Sequence, residues 1–255
     1  MQYGIEAITI FILGLIIGSF CNVCVYRIPK NESIIFPASH CPNCHTTIKA
    51  IDNIPLLSYL LLKGKCRQCG EKISIRYPII EFLNGVIYLS IFLVYGRSLQ
   101  TLIYAPLSSA LIIISFIDLD KQIIPDEISL PGIVIGFLLS IVIPYISYFN
   151  SILGIIIGGG IIFLIALAGL AIFKKEAMGG GDVKLSAMIG AFIGWKYILI
   201  SLFIGFFIGA IAGILLILLK IRSRDDLVPF GPFIVLGSLI TILWGENILS
   251  WYLGF

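Results

Sequence analysis

Apolar positions along this chain do not alternate with polar ones. They gather into runs near residues 5–25, 79–95, 101–117, 132–149, 152–173, 185–219 and 231–250. A helix needs about 20 residues to cross the hydrocarbon core of a bilayer, and unpaired backbone amides are prohibitive in lipid, so runs of this length predict helices rather than barrel strands. The run 185–219 is too long for one crossing, and the polar, aromatic interruption Gly194-Trp195-Lys196-Tyr197 divides it into a short helix and a full one. The pattern therefore predicts an all-α polytopic membrane protein of about eight transmembrane helices. One sizeable polar segment, residues 26–77, separates the first helix from the rest. It divides the chain into residues 1–77, a first helix with a small polar module, and residues 78–255, a membrane-embedded domain.

Composition agrees: 59% of the residues are hydrophobic and 12% charged, which excludes an ordinary soluble domain. The lipid bilayer is the expected partner, and nucleic acid is not. The net charge of +3 says little until its placement is considered. The first run has no basic segment before it and no small-x-small cleavage site, while Arg27 and Lys30 follow it, so it reads as a retained helix with its N-terminus outside. Segments 26–77, 118–131, 174–184 and 220–230 then fall on the cytoplasmic side and hold 15 of the 17 Lys and Arg residues, all but Arg97 and Lys196. This is the distribution the positive-inside rule requires.

The polar module contains Cys41-Pro42-Asn43-Cys44 and Cys66-Arg67-Gln68-Cys69, two C-x-x-C pairs separated by 21 residues. Each pair can turn two thiolates onto one ion, and four thiolates complete a tetrahedral structural zinc site. The competing readings are two disulfides, which a reducing cytosol disfavours, or four free thiols. His40 and His45 flank the first pair as alternative ligands. Cys21 and Cys24 share the C-x-x-C spacing but belong to the end of the first helix, where small apolar packing explains them.

Two acid clusters stand at the cytoplasmic ends of apolar runs. Asp118 and Asp120 are two positions apart, so on a helix they point in nearly opposite directions and only one can face the bundle. Asp118 directly follows the apolar run, whereas Asp120 adjoins Lys121, and Asp126 after Pro125 reads as an N-cap. In Met178-Gly179-Gly180-Gly181-Asp182-Val183-Lys184 three glycines remove every Cβ before Asp182, which lets another helix or a substrate backbone approach closely. Lys184 can pair with a neighbouring acid or extend to the interface. Gly154, Gly158 to Gly160, Gly205, Gly209 and Gly213 read as helix-packing positions.

An ionisable group near hydrocarbon costs several kcal/mol, which favours a wet functional cavity, although an acid at a helix end also fits a plain interfacial position. If Asp118 and Asp182 approach one another, repulsion makes them share one proton, one acting as base toward water and the other as acid toward a scissile carbonyl. Intramembrane acids and broken Gly-rich helices also build ion-coupled transporters, but those show matched halves, and none is visible here. A non-enzymatic zinc-knuckle assembly factor is a third reading.

Several motifs in one order tie these features together. Gly18-Ser19-Phe20-Cys21-Asn22-Val23 through Tyr26-Arg27-Ile28-Pro29, the paired C-x-x-C module, Arg76-Tyr77-Pro78 with Glu81, Asp118 to Asp126, the Gly179-Gly180-Gly181-Asp182 run and Pro229-Phe230-Gly231-Pro232-Phe233 resemble the bifunctional type IV prepilin peptidases, also called leader peptidase and N-methyltransferase. The resemblance covers nearly the whole chain, and the Gly-x-Gly-Asp pattern is similar to that of intramembrane aspartyl proteases. It implies cleavage of the basic leader of type IV prepilins or pseudopilins after a Gly at the cytoplasmic face of a bacterial inner membrane. Methylation of the new N-terminal amine from S-adenosylmethionine follows. It places the catalytic aspartates at Asp118 and Asp182, with Gly179, Gly180, Gly181 and Lys184 as the active-site loop. Glu81 is either a substrate-binding carboxylate or a structural partner of Arg76. Cys21 and Cys24 depart from the family, where aliphatic residues are usual.

Overall fold

The computed structural model describes residues 2–143, 146–174, 178–220 and 228–254. Lys175, Arg222 and Arg224, counted above with the cytoplasmic basic residues, lie outside the described residues, as do positions 144 and 145 of the run 132–149. Among the described residues the architecture is helical, with two isolated β-bridges and no strands. The chain packs as two units, residues 1–113 and 114–255.

The first unit holds α1 (Gln2–Arg27), the short α2 (Leu57–Leu61), α3 (Arg76–Tyr95) and the first part of α4 (Leu99–Lys121), which continues through the division. α1 and α3 touch along small residues. A Cβ on Gly14 would stand 2.8 Å from the Gly85 Cα, and one on Gly18 would stand 2.8 Å from the Glu81 Cα. Gly14 and Gly18 are four apart, so both lie on one face and open it to close backbone contact. Polar groups reinforce that seam: Asn84 Nδ2 donates to the Gly14 carbonyl at 2.7 Å, and Ser109 Oγ donates to Asn84 Oδ1 at 2.9 Å. Such interhelical bonds contribute about 1 kcal/mol each inside a bundle. Cys21 and Cys24 are buried at 1% and 3% exposure in this packing, as their apolar reading requires.

The second unit contains the end of α4, α5 (Asp126–Val142), α6 (Tyr148–Phe173), α7 (Gly180–Leu218) and α8 (Gly231–Leu253). α6 and α7 meet where Gly154 and Gly190 leave no room for a Cβ on either side, and Ser151 Oγ donates to the Ala191 carbonyl at 2.9 Å. α7 meets α8 through Gly205 against Phe233, Gly237 against Ser201, and a Ser201–Ser238 hydroxyl bond of 2.8 Å. Gly158 and Gly209 are also packing positions, but nothing stands within 4 Å of a Cβ on Gly160 or Gly213, which corrects the packing role expected of those two.

Six described helices are long and apolar enough to cross a membrane: α1, α3, α4, α6, α7 and α8. Reaching eight requires adding α5, with 17 residues, and dividing α7. α7 does break at Gly194, with φ +78° and ψ +173°, at the predicted interruption. A residue with a Cβ rarely adopts that φ, so the glycine permits the break.

Candidate active site and cysteine cluster

Asp118 lies one turn from the end of α4 and is 5% exposed, whereas Asp120 is exposed. Their opposite directions follow from the helical repeat. Asp118 Oδ2 accepts the backbone N–H of Gly231, at the start of α8, over 3.0 Å. The free amides of a helix N-terminus favour a carboxylate there, and Pro232 in the first turn removes one donor that would otherwise lack a partner. Gly231 is required sterically as well: a Cβ would stand 2.6 Å from Asp118 Oδ2 and 3.2 Å from its Cγ. In the sequence Gly231 has no role beyond its place in the Pro229–Phe233 motif, and a glycine before a helix-opening proline is its one local signal.

Asp182 sits in the first turn of α7, is 8% exposed, and accepts the Gly179 backbone N–H at 3.3 Å. The three glycines before it differ. A Cβ on Gly181 would stand 2.8 Å from Ile124 Cβ, so the chain leaving α4 presses on the start of α7 at this point. Gly180 faces open space, and Gly179 would meet only ordinary contacts. Asp118 and Asp182 are thus both buried carboxylates of the second unit, one near the end of α4 and one at the start of α7. Lys184 pairs with Asp126. Asp126 is not the N-cap expected: Pro125 occupies that position, in extended conformation, and Asp126 is the first helical residue, its carboxylate turned to Lys184.

In the first unit Cys41, Cys44, Cys66 and Cys69 gather with all four sulfurs within 4.8 Å of one another. The two pairs fold alike. Cys41 N–H donates to Thr46 and His45 N–H to Cys41, and correspondingly Cys66 N–H donates to Glu71 and Gly70 N–H to Cys66. The residue after each second cysteine, His45 or Gly70, takes a positive φ to close its turn. His40 and His45 are not members of the cluster.

A tetrahedral Zn–S₄ centre with bonds of about 2.3 Å has sulfurs about 3.8 Å apart. The Cys41–Cys69 and Cys44–Cys66 sulfur pairs stand at 3.8 and 4.0 Å, so the donor set fits zinc. Its electrostatics ask for a cation. The Thr46 hydroxyl and amide hold the Cys44 thiol down to about 6, and the Cys69 and Gln68 amides lower that of Cys66. Cys69, the exposed member, is pushed up to about 11: its bond with the Glu71 backbone opposes the shift, but partial desolvation and its bonds with Cys44, Cys66 and Cys41 outweigh it. Adding a positive ion opposes that rise.

Glu81, 8% exposed on α3, accepts the Leu56 N–H through Oε2 at 2.9 Å. Leu56 has φ +60° and ψ −50°, and Leu57 N–H donates back to the Pro55 carbonyl at 2.6 Å, a tight γ-turn. A non-glycine residue in this region costs about 1–3 kcal/mol unless its surroundings hold it, and the Glu81 bond is one such restraint.

Two family models and several named relatives match the chain. Residues 12–95 match the model of the bacterial peptidase A24 N-terminal domain, and residues 105–214 match that of the type IV leader peptidase family. Proteins named prepilin leader peptidase/N-methyltransferase from Aeromonas salmonicida and Legionella pneumophila are each 35% identical to the chain. These alignments cover 96% of the chain and 92% and 93% of the respective relatives. The protein of the same name from Neisseria gonorrhoeae is 34% identical over 95% of the chain and 93% of its own length. No solved structure matches the chain. The chain belongs to the type IV leader peptidase family, and the ion-coupled transporter reading is set aside.

Proposed function

We propose that this multi-pass membrane protein cleaves the leader of type IV prepilins or pseudopilins with Asp118 and Asp182 and then methylates the exposed amine. The observation that supports the reading is the presence in one unit of two buried carboxylates from separate helices, each bonded to one backbone amide. The ionised carboxyl takes a proton from water as the oxygen attacks the scissile carbonyl carbon. The other carboxyl protonates the carbonyl oxygen, and collapse of the tetrahedral intermediate expels the amine with a proton returned to it. Neither carboxyl forms a covalent bond to the peptide.

The exposed Gly179 and Gly180, next to Asp182, offer a surface without side chains on which an extended substrate backbone can lie. Lys184 orients this loop by pairing with Asp126. Glu81 is assigned to holding the Pro55–Leu57 turn, and contact with a substrate would first require that bond to open. The distribution of Lys and Arg supports an active site on the cytoplasmic side of a bacterial inner membrane, with the N-terminus outside. In the second reaction a methyl group passes from the sulfonium of S-adenosylmethionine to the lone pair of the new N-terminal nitrogen, which releases a proton. Zinc held by Cys41, Cys44, Cys66 and Cys69 would serve as a structural staple for the polar module of residues 1–77.

Co-expression with a prepilin, followed by mass measurement of the product N-terminus, tests both reactions together. Loss of the leader and one added methyl group are expected; an intact prepilin would overturn the proposal. Gly231→Ala should lower the cleavage rate about 100-fold, because the new methyl group displaces the Asp118 carboxyl by a substantial fraction of an ångström. Unchanged kinetics would show that the α8 amide does not position Asp118.

Metal analysis of the reduced, purified protein should find about one zinc per chain. That zinc should be lost in Cys44→Ser and retained when Cys21 and Cys24 are both replaced. Protons compete for the thiolates, so acidification should release the metal while mild alkali should not. Metal-free protein with four reactive thiols at neutral pH would refute the assignment.

A further inference from the structure

The loop between the first helix and the first cysteine pair carries three consecutive apolar residues at its tip. Ile34, Ile35 and Phe36 are 38%, 71% and 75% exposed. Surface apolar residues scattered singly need no explanation, but three adjoining ones at a loop tip mark a contact surface.

Arg27, in the last turn of α1, fixes where this tip stands. It is 6% exposed, and its guanidinium donates to the Ser33 carbonyl at 2.8 Å and to the Pro37 carbonyl at 2.7 Å, one on each side of the tip. Glu32 N–H also donates to the Arg27 carbonyl at 3.1 Å. Inside the loop, Ser33 Oγ accepts the Ile35 and Phe36 N–H groups, each at 3.3 Å. The Ile35 and Phe36 amides and the Ser33 and Pro37 carbonyls are therefore occupied, while the three apolar side chains stay exposed.

Backbone groups in contact with water need no such partners, because water supplies them. A segment that enters the low-dielectric edge of a bilayer does need them, since an unpaired amide there costs several kcal/mol. The neighbouring residues mark the same level: Lys30 Nζ stands 3.5 Å over the ring of the half-exposed Tyr26, a pairing suited to the headgroup region. Phe20 and Tyr26 continue the exposed apolar face of α1 toward its end.

We propose that the Ile34–Phe36 tip is an interfacial wedge that inserts into the headgroup–acyl boundary of the bilayer that α1 crosses. The Arg27 clamp holds it at that depth. The occupant is lipid rather than a peptide because the tip is tied to the end of a membrane helix and continues that helix's exposed apolar face. The wedge would keep the cysteine module at the membrane surface.

The test places the photoreactive residue p-benzoylphenylalanine at position 36, and separately at the exposed polar Gln68, in otherwise native protein reconstituted in nanodiscs of phosphatidylethanolamine and phosphatidylglycerol. Illumination followed by mass spectrometry should give lipid adducts several-fold more abundant at position 36 than at position 68. Retained zinc content would verify that each substituted module is folded. Equal lipid labelling at the two positions would overturn the proposal. So would loss of the position-36 lipid adduct to a peptide adduct when prepilin is added, which would identify the tip as a substrate contact. As a second measurement, Arg27→Gln should keep the protein in the membrane yet lower lipid labelling from position 36; unchanged labelling would show that the clamp does not set the depth.

Discussion

Asp118→Asn and Asp182→Asn are each expected to reduce prepilin cleavage by about 10³-fold or more while leaving the protein inserted and folded. Either change replaces a carboxyl by a group of nearly equal volume, so α4, α7 and α8 keep their packing. Asparagine can still accept the Gly231 or Gly179 amide, so those bonds do not have to be lost. What disappears is a group that can take or give a proton. The remaining carboxyl cannot serve as base toward water and acid toward the carbonyl at the same moment, so the two single variants should fail to similar extents. The double variant should be little worse than either. Asp120→Asn is the control: that residue is exposed and points away from Asp118, and its substitution should leave the rate within a few-fold of the parent. Equal loss at Asp120, or retained cleavage at Asp118→Asn, would move the catalytic role elsewhere. Across pH, the parent rate should follow the ionisation of the pair rather than of one residue.

How far these positions could be read beforehand depended on how local their cause is. The burial of Asp118 and exposure of Asp120 follow from a two-residue separation on one helix, and the break in α7 follows from Gly194 with a polar, aromatic sequence after it. Both causes lie within a turn or two of chain. The four-cysteine cluster was legible because its chemistry demands convergence whatever path the intervening residues take. The amide that Gly231 gives to Asp118 comes from 113 positions away, and a glycine before a proline has many uses. In the sequence Arg27 marks membrane orientation; that it is also a buried clamp is not legible there, because its partners are backbone carbonyls that any residue could supply. The position of Asp126 after Pro125 predicts a cap; its ion pair with Lys184 comes from tertiary packing that the local sequence does not encode. The strained turn at Leu56 was equally hidden, since leucine gives no local signal for a positive φ.

Cys41→Ser is expected to yield pilin that has lost its leader but carries no N-terminal methyl group. The order of the two reactions sets the direction of this separation. Methylation consumes an amine that only cleavage creates, whereas hydrolysis needs no methyl donor. Cys41 is the buried member of the four-thiolate cluster, and removing one of four ligands costs the module much of the free energy that metal binding contributes to its folding. The module has little else to rely on: within residues 31–75 the described elements are one four-residue 3₁₀ turn, the five-residue α2 and two isolated bridges. Asp118 and Asp182 depend on different contacts. Their carboxylates are fixed by Gly231 and Gly179, and α7, which bears Asp182, is zipped to α6 by Gly154–Gly190 and to α8 by Ser201–Ser238, all within residues 114–255. Those bonds survive unfolding of a segment that supplies none of them. Weighing the pilin N-terminus after co-expression reads both reactions at once, and zinc content of the same variant verifies that the cluster was disrupted. Fully methylated product from a zinc-free variant would show that transfer does not need the cysteine module. Uncleaved prepilin would show that the module presents the leader to the aspartates, and the two activities would then stand or fall together.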